Sequence, residues 1–160
     1  MAGTDMSKAF IKETDQRFAA DPLPDRPVPA GPNLVTPEGL TQINDTIARL
    51  QGEQDAARRA EDAAEIAKLV RELRYWTARQ TTAQLAPPSR SHGVVEFGST
   101  VTIRRKDGRD QTYRIVGTDE ADPAQGTLSH TSPLARALLD KSVGDTARIA
   151  DADAEIVSIC

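Results

Sequence analysis

Glu61, Asp62 and Glu65 bring three carboxylates together in the middle of the chain. Two uses compete for them. Asp62-Ala63-Ala64-Glu65 has the D-x-x-E spacing of a capping box, in which the first acid accepts from the backbone and the second reaches back. The same oxygens could hold a cation or act catalytically, but the capping box is the expected role. A second acidic run, Asp119-Glu120-Ala121-Asp122, is expected to be a solvated turn rather than a site. Ser132-Pro133 offers a hydroxyl N-cap followed by proline at the first helical position. Cys160 is the only cysteine, so an intrachain disulfide and a cysteine-based metal site are excluded. His92 and His130 are too few for a histidine-rich site.

The tip acids must be held by whatever surrounds them, and residues 37–85 read as an antiparallel hairpin of two helices. Leu40, Ile43, Ile47, Leu50, Gln54 and Ala57 advance by alternating steps of three and four. Ile66, Leu69, Leu73, Trp76, Gln80 and Ala83 repeat the same steps beyond a polar break at residues 58–61. Two such seams can bury one another as a coiled coil. Arms of about 24 residues would reach roughly 36 Å at 1.5 Å per residue. Thr36-Pro37-Glu38 supplies an N-cap, a proline at N1 and an acid in the first turn. Tyr75 and Trp76 are neighbours and cannot share a face, so Trp76 is assigned to the seam and Tyr75 to its flank or the adjoining domain.

Around the hairpin the composition changes. Pro22, Pro24, Pro27, Pro29 and Pro32 predict a disordered tail over residues 1–35, with some helical character at residues 7–15 and a docking peptide carrying Phe10 as the functional alternative. The hairpin is expected over residues 36–86 and a linker over 87–93. From residue 94 to 160 the apolar period becomes two, with Asp107-Gly108 as a hairpin turn between strands around Val101 and Tyr113. Four or five short strands and one short helix make a small α+β domain. A net charge of −4 argues against tight nonspecific binding to duplex DNA. No apolar run approaches the ~20 residues needed to cross a bilayer, and no apolar signal core is evident, so a cytoplasmic location is expected.

Several blocks carry a resemblance. Val95-x-Phe97-Gly98-Ser99-Thr100-Val101-Thr102, Tyr113-Arg114-Ile115-Val116-Gly117, Asp119-Glu120-Ala121-Asp122 and Ser132-Pro133-Leu134-Ala135-Arg136-Ala137-Leu138 resemble, in order, the C-terminal domain of GreA/GreB transcription elongation factors. Thr36-Pro37-Glu38-Gly39-Leu40 resembles the start of their N-terminal coiled coil, and the likeness covers nearly all of residues 36–159. It implies an FKBP-like antiparallel-sheet domain that docks at the RNA polymerase secondary channel, with the hairpin entering the channel. Ser132, Pro133, Leu134, Ala135 and Arg136 are the docking candidates. In cleaving members a G-D-L-x-E-N-A-E-Y tip loop helps hold Mg²⁺, a hard cation that takes carboxylate oxygens and activates water. No such loop occurs here, and the arms look shorter by about two turns, roughly 12 Å.

The resemblance therefore implies a monomeric, noncleaving regulator, similar to the short-hairpin nucleoside diphosphate kinase regulator type, with no intrinsic cofactor and no enzymatic activity of its own. The alternative is a cleavage factor using Asp62 and Glu65 on Mg²⁺. A peptidyl-prolyl isomerase is a distant third, because residues 89–160 hold only Phe97 and Tyr113 as aromatics and fold alone does not confer function. The hairpin arginines are expected to solubilise the rod, with a weak RNA contact in the channel as the lesser reading.

Overall fold

The computed structural model describes residues 23–90 and 92–160. The segment around Phe10 lies outside the described residues. The predicted hairpin is present: α1 spans Pro37–Arg59 and α2 spans Ala63–Thr82. Their 23 and 20 residues correspond to about 35 and 30 Å. Thr36 opens α1 as expected, its extended backbone leaving the hydroxyl free to accept from Gly39 N at 3.0 Å. Ile43, Ile47, Leu50 and Ala57 are buried along α1, and Leu69 is their fully packed counterpart on α2. Leu40, Ile66, Leu73 and Trp76 pack partly buried against them. Polar seam positions are used differently, since the exposed Gln80 donates across the hairpin to Asn44 at 2.8 Å.

Two expectations about the base of the hairpin are corrected. The second arm does not continue through residue 85, and the tail is not without structure up to residue 35. Strand β1, Asn33–Val35, pairs in parallel with strand β2, Ala83–Leu85. Asn33 is buried; its amide donates to Arg79 O at 2.7 Å and thereby satisfies a carbonyl in the last turn of α2. Ala86 N then donates to Val35 O at 3.1 Å. Parallel strands require a long crossover, and here the helical hairpin is that crossover. Ala83, read as the last seam residue, belongs to β2 and still packs on Val35, Ile43 and Ile47.

The C-terminal portion forms a five-stranded sheet ordered β5-β4-β3-β7-β6. Its strands are β3 Thr100–Arg105, β4 Asp110–Val116, β5 Thr127–Ser129, β6 Thr146–Ile149 and β7 Ala152–Ile159, with helix α3 at Pro133–Leu138. The Asp107-Gly108 turn is as read, with Gly108 at φ 81° where a side chain would be strained. The sheet is mixed rather than wholly antiparallel, because β5 runs parallel to β4. Asp122 causes this reversal of expectation. It caps a 3₁₀ turn at Pro123–Gln125, and Gly126 at φ 80° turns the chain back beside β4. Val95, Val101, Ile103, Ile115, Leu138 and Ile156 form the centre of a core closed by α3. Among the described residues no helix is long and apolar enough to cross a membrane.

The packing predicts unequal costs along α2. Leu69→Ala should lower stability by about 2–5 kcal/mol, and Leu73→Ala, only partly buried, should cost less. Chemical denaturation of both variants checks this; equal, negligible losses would contradict the packing described.

Candidate functional site

Two places bear on function: the joint between hairpin and sheet domain, and the hairpin tip. At the joint, Asp119 accepts from two residues of α2. Tyr75 Oη donates to Asp119 Oδ1 in a short hydrogen bond, and Arg79 Nε lies 2.5 Å from Asp119 Oδ2. The Arg79 side chain is 3% exposed and that of Asp119 10%. Arg79 Nη2 also donates to Asn33 Oδ1 at 2.6 Å, tying β1 into the same network. Burial, reinforced by the hydrogen bond to Asp119, pushes the Tyr75 hydroxyl up to about 12, so it stays a donor through the neutral range.

Glu120 makes the second half of the joint. Its carboxylate accepts from Thr36 Oγ1 at 2.7 Å and from Gly117 N at 2.7 Å. The Thr36 hydroxyl thus donates to Glu120 while accepting from Gly39 N, and one side chain serves both the helix cap and the domain contact. Space explains the glycines. A Cβ on Gly39 would collide with the Glu120 carboxylate, and one on Gly117 would lie 2.6 Å from Leu34 O. The void left at the joint is about 10 Å³, no more than one water requires. At its edge Arg114 faces Glu38 at 3.5 Å. The Glu38 carboxyl is held below its usual value by its own backbone N–H first, then by Thr36 and Arg114.

These contacts correct two sequence expectations. The run at residues 119–122 is not simply a solvated acidic turn, since its first two members latch the domains. Arg79 is not a solubilising arginine but a buried partner of Asp119. Tyr75 does turn away from the seam to meet the other domain, as expected. Its position four residues before Arg79 placed both donors on one face, which was the available signal for the joint. Arg26 adds an outer layer, its guanidinium 3.7 Å above the Tyr75 ring and 3.0 Å from Glu72.

At the tip, Glu61 takes a left-handed φ of 53°, a conformation that costs a non-glycine residue about 1–2 kcal/mol. Asp62 caps α2, accepting from Glu65 N at 3.0 Å. The reciprocal half of the capping box is absent. Asp62 N donates instead to Ala57 O at 3.0 Å, and the Glu65 carboxylate pairs with Lys68 at 3.4 Å. Glu61, Asp62 and Glu65 therefore do not converge, and no group of three acidic, histidine or cysteine side chains suited to a metal occurs among the described residues. The tip as folded does not fit a divalent cation, which needs several oxygens turned to one point.

The segment at residues 132–136 is divided by burial. Ser132 caps α3, accepting from Ala135 N at 3.2 Å. Ala135 is fully buried in the core and Leu134 packs against it, so neither offers a docking surface of the kind expected of them. Pro133 and Arg136 are exposed. Beside them, His130 meets the Phe97 ring edge-on at 5.5 Å, and burial lowers the affinity of its imidazole for a proton.

Removing one partner of a buried ion pair strands the other. Arg79→Met should accordingly cost about 3–5 kcal/mol, and Tyr75→Phe less, about 1–3 kcal/mol, read by denaturant titration. At the tip, Asp62→Ala should cost about 0.5–2 kcal/mol while Asp62→Asn stays close to the parent, because asparagine caps nearly as well. Equal losses for the two Asp62 variants would count against the cap as the role of this side chain.

Comparison with known proteins agrees with this geometry. Residues 90–159 match the family model described as transcription elongation factor, GreA/GreB, C-term. Transcription elongation factor GreA of Paracoccus denitrificans is 32% identical over 134 residues, covering 72% of this chain and 86% of that protein. GreA of Hyphomonas neptunium is 60% identical over 57 residues, which span 35% of this chain and 36% of the relative. GreB of Neisseria meningitidis serogroup B is 44% identical over 77 residues, 47% of each chain. The chain thus spans most of the first relative and about a third to a half of the other two. The solved structure of GreA factor homolog 1 from Thermus thermophilus aligns with a TM-score of 0.40 at 17% identity, over 84% of this chain and 99% of that one. The chain belongs to the GreA/GreB family of transcription elongation factors.

Proposed function

We propose that this protein binds RNA polymerase at the secondary channel and regulates elongation without stimulating transcript cleavage. The hairpin would act as a coiled coil entering the channel, and the sheet domain as an FKBP-like module seated at its mouth. The observation that carries the noncleaving reading is the state of the tip. Asp62 is spent on the cap of α2 and Glu65 on Lys68, so neither is turned outward as a ligand. On this reading the protein is cytoplasmic, has no intrinsic cofactor and is not itself an enzyme.

Docking falls to the exposed members of the α3 segment, Pro133 and Arg136, since their neighbours are core or cap. Arg136→Glu should weaken binding to core RNA polymerase about tenfold, or roughly 1.4 kcal/mol, with an unchanged melting temperature. Undiminished binding would move the docking surface elsewhere. In a cleavage assay on backtracked elongation complexes with Mg²⁺, the parent protein should release no 3′ RNA fragments above the rate of polymerase alone. Stimulated release that disappears in Asp62→Asn would overturn the noncleaving reading in favour of tip-assisted cleavage.

A further inference from the structure

The chain before β1 does not simply leave the hairpin. It winds around α2. Asn33 holds the side of α2 that carries Arg79. Arg26 lies over Tyr75 and pairs with Glu72, and Asp25 then pairs with Arg74 at 3.0 Å. At about 100° per residue, Arg74 sits a quarter-turn or so beyond Tyr75 around the helix. The anchors also shift toward the tip, from residue 83 to residues 72–75. Followed backward from β1, the chain thus crosses the outer surface of α2 and heads tipward.

It arrives at a groove. Val70, Leu73, Thr77, Ala78 and Thr81 line a depression of about 600 Å³ on the flank of the hairpin, and Arg74, the partner of Asp25, stands on its wall. These positions recur at helical spacing on the side of α2 opposite the joint, so neither the seam nor the sheet domain covers them. One turn nearer the tip on the outer surface, Arg71 buries its Nε with no hydrogen-bond partner, a donor that favours an acceptor nearby. Residue 23 is delivered beside this groove with 22 residues still preceding it in the sequence. Those residues include Phe10-Ile11 and Phe18, the apolar side chains for which the fold otherwise provides no place.

We propose that the groove is a docking site for the protein's own N-terminal segment, with Phe10 and Ile11 seated against Val70, Leu73 and Thr77. The segment straps the hairpin on the face away from the sheet domain. The occupant is this segment, rather than a second copy or a foreign peptide, because the covalent chain already ends at the groove wall. Tethering makes the encounter intramolecular, with an effective concentration in the millimolar range for a short flexible connection, so even a weak apolar contact would hold.

Tryptic cleavage of the full chain at Arg17 tests the strap. Bound segment is protected, and the cleavage rate follows the open population. Thr77→Glu places a charge on the groove at an exposed position, and Phe10→Ser removes the anchor without touching the hairpin. Each variant should speed cleavage at Arg17 about tenfold or more over the parent while the melting temperature stays the same. A rate equal to the parent's in Phe10→Ser overturns the proposal, whether or not Thr77→Glu folds. Sedimentation of the parent covers the remaining occupant: a dimer that Thr77→Glu dissociates would assign the groove to a second copy and equally overturn it.

Discussion

The carboxylate of Asp119 is the constraint on which the arrangement of this molecule turns. It lies between the hairpin and the sheet domain and accepts from Tyr75 and Arg79 together. A buried pair of this kind adds little net stability, because desolvating both charges offsets much of their attraction. Its effect is geometric. Any rotation of the sheet domain that carried Asp119 out of reach would leave a buried guanidinium unpaired, at a cost of several kcal/mol. Asn33 makes the penalty steeper, since it shares Arg79 and also holds β1 to the end of α2. The direction in which the rod leaves the domain is therefore fixed by one acid and its three neighbours.

A second link reinforces the first through a single hydroxyl. Thr36 caps α1 by accepting from Gly39 and docks the sheet domain by donating to Glu120. Fraying of the first helical turn and opening of the joint thus remove the same group from both jobs. The two events are coupled without any residue moving between them. Gly39 and Gly117 are required for the same reason, since a methyl group at either would enter the space that the Glu120 carboxylate and the Leu34 carbonyl occupy.

What the sequence made legible was local. Thr36-Pro37, the three-four spacing from Leu40 to Ala57, Asp107-Gly108 and Ser132-Pro133 each specify a cap, a seam or a turn through neighbours only a few residues away, and each was found where it was expected. The joint was not legible as such, because a buried Arg79 and a solvated Arg79 have the same surroundings in sequence. Only the approach of residues 40 positions apart removes water from it. Strand β1 escaped notice because three residues carry no period, and its partner β2 was hidden in the tail of a helical pattern. The capping box at Asp62 was half right. Lys68 at helical spacing offered Glu65 a charge, and the left-handed Glu61 brought Ala57 O within reach of the amide that Glu65 was expected to bind. The α3 segment shows the same limit. Ala135 and Arg136 are adjacent, yet one faces the core and the other does not.

The parallel pairing of β1 with β2 has a consequence for how far the rod extends. Chain enters and leaves the hairpin side by side, so everything the sheet domain touches lies at one end: Thr36, Gly39, Tyr75 and Arg79. Gly39 is the third residue of α1, and Tyr75 and Arg79 belong to the last two turns or so of α2. The outer half of each arm contacts only the other. Excising seven residues from both arms would shorten the rod by about 10 Å while preserving the seam register and leaving the mounting intact. Reach and attachment are independent variables in this architecture, so the length of the probe can be altered without rebuilding the base that aims it.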